Sequence, residues 1–195
     1  PGGFGGGLFI LNSANGAITV DQCVVTDSTS VMNAGGAWLG AVNGDITVTD
    51  SEFTHNACDD GTADDGCGLY LYFDSTQAQG GALVRGNIIS HNVLNDNPHP
   101  VGNCDGAGMM LYHLGDGNFA ISIEDNVIAD NASLYGVAGI VVRNPHEDAT
   151  ITIAGNTFAR NITGGTAHDP PPEVPGGAAH LYSDGGTMIV RDNVF

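Results

Sequence analysis

Two short phrases recur along this chain at unequal intervals, and together they leave few folds open. In the first, an alternating apolar run leads to a small polar residue, a large apolar residue two places on, and asparagine three places after that. Clear copies occupy 48–56, 84–92, 123–131 and 153–161, with Phe53, Ile89, Ile128 and Phe158 as the large residue. Another copy starts at Val190, and a weaker one at 20–28 carries Cys23 and Ser28 in the polar places. The second phrase is glycine followed by a short strand, entered after Gly7, Gly36, Gly68, Gly108, Gly139 and Gly177. The marker residues Val25, Phe53, Ile89, Ile128, Phe158 and Phe195 stand 28, 36, 39, 30 and 37 apart. Fixed motifs at variable spacing mean constant coils carrying loops of different length, which is how a β-solenoid behaves.

Side chains alternate across a strand, so Leu69 and Leu71 point inward while Tyr70 and Tyr72 point outward. Stacked coils would place Leu8, Ala37, Leu69, Met109 and Ile140 in one interior ladder. A second would hold Val25, Phe53, Ile89, Ile128, Phe158 and Phe195. Asparagines at matching places can bond their amides to the next coil and to turn backbone, satisfying groups otherwise buried unpaired. The glycine before the first strand is expected to supply a corner with positive φ. The expected fold is all-β, a right-handed single-stranded parallel β-helix of about six coils with variable loops on one edge. It forms one domain over 1–195, expected to be part of a longer protein.

Gly35-Gly36-Ala37-Trp38 and Phe53-Thr54-His55-Asn56 resemble the repeats of chlamydial-type polymorphic outer-membrane proteins and related right-handed β-helix repeat proteins. That resemblance implies a secreted or surface-exposed protein, often an adhesin.

Composition narrows the partners. Four arginines and no lysine face 22 acidic residues, for a net charge of −18. Such an acidic surface repels nucleic acid and anionic lipid. No apolar run is long enough to span a membrane, so no membrane insertion by this segment is expected.

Inserts at 57–66, 93–105 and 162–175 follow the second asparagine and should leave the coil at one corner. Cysteines 58, 67 and 104 fall in or beside the first two inserts. Cys58–Cys67 is the preferred bridge in an oxidising compartment, with Cys67–Cys104 and Cys58–Cys104 as alternatives. Cys23, on a ladder position, should be a buried free thiol. Asp59, Asp60, Asp64 and Asp65 crowd four carboxylates into seven residues, a set of hard ligands suited to Ca²⁺ or else an ordinary solvated loop.

The outward face of the first strand carries Trp38, Tyr70 and His180 in one row, and Tyr72, Tyr112, Arg143 and Tyr182 in the next. Such a ribbon fits a glycan or a surface protein, unless the polypeptide itself covers it. End-to-end self-association through open coil edges is a third kind of contact. The sequons at Asn131 and Asn161 should be coincidental, because both asparagines face inward. The seven histidines show no metal spacing, but His55 and His91 occupy matching places in adjacent coils, a pair that could bind a metal but more often just lines a surface.

Many β-helices are polysaccharide enzymes. Here the galacturonase-type residue set is absent, and the nearest approach to a site is Arg143 with Tyr112 and His113. The sequence therefore reads as a non-enzymatic extracellular or cell-surface scaffold, adhesin-like or assembly-forming. The alternative is a carbohydrate-active enzyme of lyase or epimerase type.

Overall fold

The computed structural model describes residues 5–31, 33–59, 66–73, 80–95, 106–113, 119–134, 136–144, 149–164, 177–183 and 185–195. The first coil consists of β1 (Leu8–Asn15), β2 (Ile18–Asp21), β3 (Val24–Thr26) and β4 (Thr29–Ser30). The second repeats that order in β5 (Ala37–Asn43), β6 (Ile46–Thr49), β7 (Glu52–Thr54) and β8 (Ala57–Asp59). Next come β9 (Leu69–Phe73), β10 (Gly80–Arg85), β11 (Ile88–Ser90) and β12 (Val93–Asn95). The fourth coil has β13 (Met109–His113), β14 (Phe119–Glu124), β15 (Val127–Ala129) and β16 (Ala132–Ser133). In the fifth are β17 (Ile140–Asn144), β18 (Thr150–Ala154), β19 (Thr157–Ala159) and β20 (Ile162–Thr163). The sixth holds β21 (Ala179–Ser183) and β22 (Thr187–Arg191).

Every strand pairs in parallel with its counterpart one coil away, which gives two six-stranded and two five-stranded sheets. The first sheet runs β1-β5-β9-β13-β17-β21 and the second β2-β6-β10-β14-β18-β22. Their registers align Leu8, Ala37, Leu69, Met109 and Ile140, as the sequence pattern requires. In the third sheet Val25, Phe53, Ile89, Ile128 and Phe158 align, and Phe195 stacks on Phe158 with ring centroids 5.0 Å apart. These inward columns form one apolar core along the solenoid axis. The fourth sheet, built from two- and three-residue strands at the start of the inserts, has no counterpart in the sequence pattern. The inserts do leave at one corner, between the fourth and first sheets.

Two columns of amides line the corners. In one, Asn56 donates its backbone N–H to Asn92 Oδ1, Asn92 to Asn131 and Asn131 to Asn161, at 3.0, 3.0 and 3.2 Å. Each side-chain amide also donates back to a carbonyl of the preceding coil, as Asn92 Nδ2 does to Phe53 O at 2.9 Å. The other column runs Ser51, Asn87, Asn126, Asn156 and Asn193 in the same manner. Buried polar groups are thereby satisfied around the core at two corners.

The positive φ expected at the entry to the first sheet falls three residues before the strand, at Gly5, Ala34, Gly66 and Gly106, and not on the glycine adjoining it. Left-handed residues stand directly before the amide columns: Gln22, Asp50, Gly86, Asp125, Gly155 and Asp192 at one corner, and Asp27, His55, His91, Asp130 and Arg160 at the other. The glycine serves close approach instead. A Cβ on Gly68 would lie 2.6 Å from Asn92 Nδ2 and strike the Gly108 carbonyl, so any side chain there would push into the amide column.

Candidate binding surface

Alternation along the first sheet sends Phe9, Trp38, Tyr70, Met110, Val141 and His180 outward in one aligned row. Leu11, Gly40, Tyr72, Tyr112, Arg143 and Tyr182 form the row beside it. Of the two alternatives for the first row, an open ribbon or one covered by the polypeptide itself, the structure shows the second at its middle. Trp38 is 7% and Tyr70 5% exposed, and both cluster with Met110, Val141, Ala34 and Val137. The turns that lead into these strands fold back across them. A Cβ on Gly66 would sit 2.8 Å from the Tyr70 Cβ. The polypeptide therefore covers the middle of this row, while Phe9 at its edge is 48% exposed.

The second row stays at the surface. Tyr72 and Tyr112 are half-buried and pack on the covered cluster, Arg143 is half-buried, and Tyr182 is exposed. Gly40 joins the two rows, since a Cβ there would collide with the far edge of the Trp38 indole. The indole lies across that gap, 4.8 Å from the Phe9 ring and 5.8 Å from Tyr72. Tyr72 in turn stacks on Tyr112 at 6.1 Å. Phe9, Trp38, Tyr72 and Tyr112 thus form one line of rings across four coils. The sequence carries a signal for it that the row pattern alone does not interpret, a lone glycine, Gly40, among bulky neighbours.

Of the three residues closest to an enzyme site, Tyr112 and Arg143 are register neighbours on the outer face. His113, one residue on, points into the core, where it is fully buried and stacks on Phe119 at 4.2 Å. Alternation separates the set, and His113 cannot act with the other two. His180 also belongs to the outer row and is partly buried.

Cys58 and Cys67 are joined in a disulfide, with Cα atoms 5.4 Å apart, buried against Leu94 and Ala107. Cys104 lies outside the described residues. Cys23 is unpaired as expected but exposed, not buried. Its place in the amide column belongs to the first coil, and among the described residues no further coil stacks over it. Asp59 closes β8, whereas Asp60, Asp64 and Asp65 lie outside the described residues, and the expected calcium site does too. The sequon residues Asn131 and Asn161 are both engaged in the amide column, Asn131 fully buried.

The second left-handed corner carries a charged track. Arg160 donates two hydrogen bonds of 2.6 Å to Asp130. Those bonds hold the Asp130 carboxyl below its usual range and raise the guanidinium in turn. His91 Nε2 lies 4.0 Å from Asp130 Oδ2. The rings of His55 and His91 stack at 4.8 Å, only 10° from parallel. Among the described residues no group of three or more His, Cys, Asp or Glu is placed to hold a metal.

A family model described as a right handed beta helix region matches residues 3–195. The chain belongs to that family. This right-handed β-helix matches no curated protein and no solved structure. Its membership agrees with the four parallel sheets and leaves its activity to be argued from its surfaces.

Proposed function

We propose that this β-helix is a non-enzymatic scaffold of the extracellular space or cell surface, adhesin-like, which holds a glycan through its outward line of rings. The resemblance to polymorphic outer-membrane repeats supports the adhesin-like part of this reading. The single observation that carries it is the run of rings over four coils in which Phe9, Tyr72 and Tyr112 reach the surface and the buried Trp38 braces them. Aromatic rings make apolar contact with sugars, and coils about 4.8 Å apart present the exposed parts of these rings as a regular row. The net charge of −18 disfavours polyanions, so a neutral glycan fits better than an acidic one. The Cys58–Cys67 bridge is in keeping with an oxidising compartment.

The test is binding to a panel of neutral and acidic glycans, with Tyr72→Ala/Tyr112→Ala as the comparison. Neutral-glycan binding that falls at least about tenfold in the double variant supports the reading, the loss expected when rings at a binding centre are truncated. Equal binding by both proteins, or new unsaturated ends in the glycan, overturns it in favour of another surface or a lyase. Ca²⁺ at Asp59, Asp60, Asp64 and Asp65 is a separate proposal, checked by calorimetry with CaCl₂. End-to-end assembly is checked by light scattering against concentration.

A further inference from the structure

We propose that His55 and His91 form a two-imidazole site for a borderline dication such as Zn²⁺, Ni²⁺ or Cu²⁺, its remaining positions filled by water. Both residues stand at a corner that demands left-handed backbone, with φ of 56° and 57°. Glycine meets that demand with least strain, and the sister corner uses it at Gly86 and Gly155. Here two successive coils place imidazoles in that position, exposed and directly stacked.

Their surroundings suit a metal. His91 Nδ1 lies 3.2 Å from Ser90 Oγ. When Nδ1–H donates to that hydroxyl, the tautomer is fixed with the lone pair on Nε2, which is how ligating histidines are commonly held from behind. Asp130 Oδ2 stands 4.0 Å from Nε2, but its charge is already paired with Arg160, so the two imidazoles themselves must hold the ion. The ring centroids are 4.8 Å apart and both side chains are exposed, so holding one ion requires the two rings to turn out of their stack toward it. Imidazole favours zinc, copper and nickel over calcium or magnesium, which separates this site from any carboxylate loop.

The test is calorimetric titration of the whole chain with ZnCl₂ or NiCl₂, alongside His55→Asn, His91→Asn and the double variant. Asparagine accepts left-handed φ, so each variant should keep its circular dichroism and melting temperature. The expected result is one strongest site in the parent protein, weakened at least about tenfold by either single change, with no further loss in the double variant. Cu²⁺ should also broaden the ring resonances of both histidines together. Affinity within about threefold of the parent in either single variant would sink the pair as a site, that span being half a kcal/mol or so.

Discussion

The side-chain oxygen of Asn92 accepts two hydrogen bonds from Asn56, one from its backbone N–H at 3.0 Å and one from its side-chain amide at 3.1 Å. Asn92 Nδ2 then donates to Phe53 O in the preceding coil and to Asn131 Oδ1 in the following one, at 2.9 and 3.0 Å. A single amide thus ties three coils together in a place water does not reach.

Asn92→Ala should therefore cost far more than one ordinary hydrogen bond. It strands the buried Asn56 N–H, at about 1–3 kcal/mol for an orphaned group, and also removes the side-chain bonds to Phe53 O and Asn131 Oδ1. The expected loss is about 3–5 kcal/mol, read from the urea midpoint at unchanged slope. Asn161, at the half-buried end of the same column, should lose about half as much when changed to alanine. Equal losses at the two sites would refute burial as the cause.

Gly68→Ala should destabilise by overpacking, by about 1–3 kcal/mol, because the new methyl group meets Asn92 Nδ2 at 2.6 Å. The methyl group also meets the Gly108 carbonyl, so combining Gly68→Ala with Asn92→Ala relieves one of the two clashes and should cost less than the sum of the two. A methyl group added at Gly164 would meet nothing within 4 Å, so alanine there should bring no loss or a gain of about 0.5 kcal/mol. Additive costs in the Gly68–Asn92 pair would show that the two do not touch.

The coil architecture is legible in the sequence because Asn56, Asn92, Asn131 and Asn161 fix the register by themselves, whatever the loops between them do. The fourth sheet is not, since strands such as Thr29–Ser30 are too short to show alternation. The left-handed corner is equally hidden. It falls on residues as different as His55, Asp130 and Arg160, which share a backbone conformation and no chemistry. The outward rows are legible, but their cover is not, because the burial of Trp38 and Tyr70 depends on the path of the turns above them. Cys23 misleads because a ladder position is buried only where a coil lies on either side.

The cysteines should separate cleanly by access. Native-state labelling with a maleimide, followed by peptide mapping, should modify Cys23 and spare Cys58 and Cys67 until the protein is unfolded and reduced. Replacing both bridge cysteines by alanine, the residue at Ala107 in the same small cluster, should cost about 2.5 kcal/mol for a loop with a sequence separation of 9. No change in stability on replacement would mean that the bridge adds nothing to the fold.

Asp130 should titrate below an ordinary aspartate, because Arg160 bonds its ionised form. A lowered folded value means that the pair contributes its stability above the unfolded carboxylate range. That contribution is lost as pH falls through the lowered value. Both groups are at the surface, so the global effect should be small and the local one is the better measure. Carboxyl-carbon NMR should place the Asp130 midpoint low in the parent and higher in Arg160→Gln. A midpoint that does not move would show that the crosslink between coils is absent in solution.

Trp38 is the only tryptophan in the chain, so its fluorescence reports directly on the aromatic line. Its indole lies in the gap left by Gly40, where even a Cβ would overlap the ring edge. Gly40→Val should force the indole out of its place between Phe9 and Tyr72, shifting emission to longer wavelength and exposing it to acrylamide. The strain should cost about 1–3 kcal/mol, within what a fold stitched by two amide columns tolerates. Glycan binding should fall with the same variant even though Tyr72 and Tyr112 remain, because the buried indole no longer braces Phe9 and Tyr72. If emission shifts while binding stays intact, the ligand would be reading the tyrosines alone; if neither changes, the indole does not depend on Gly40 for its seat.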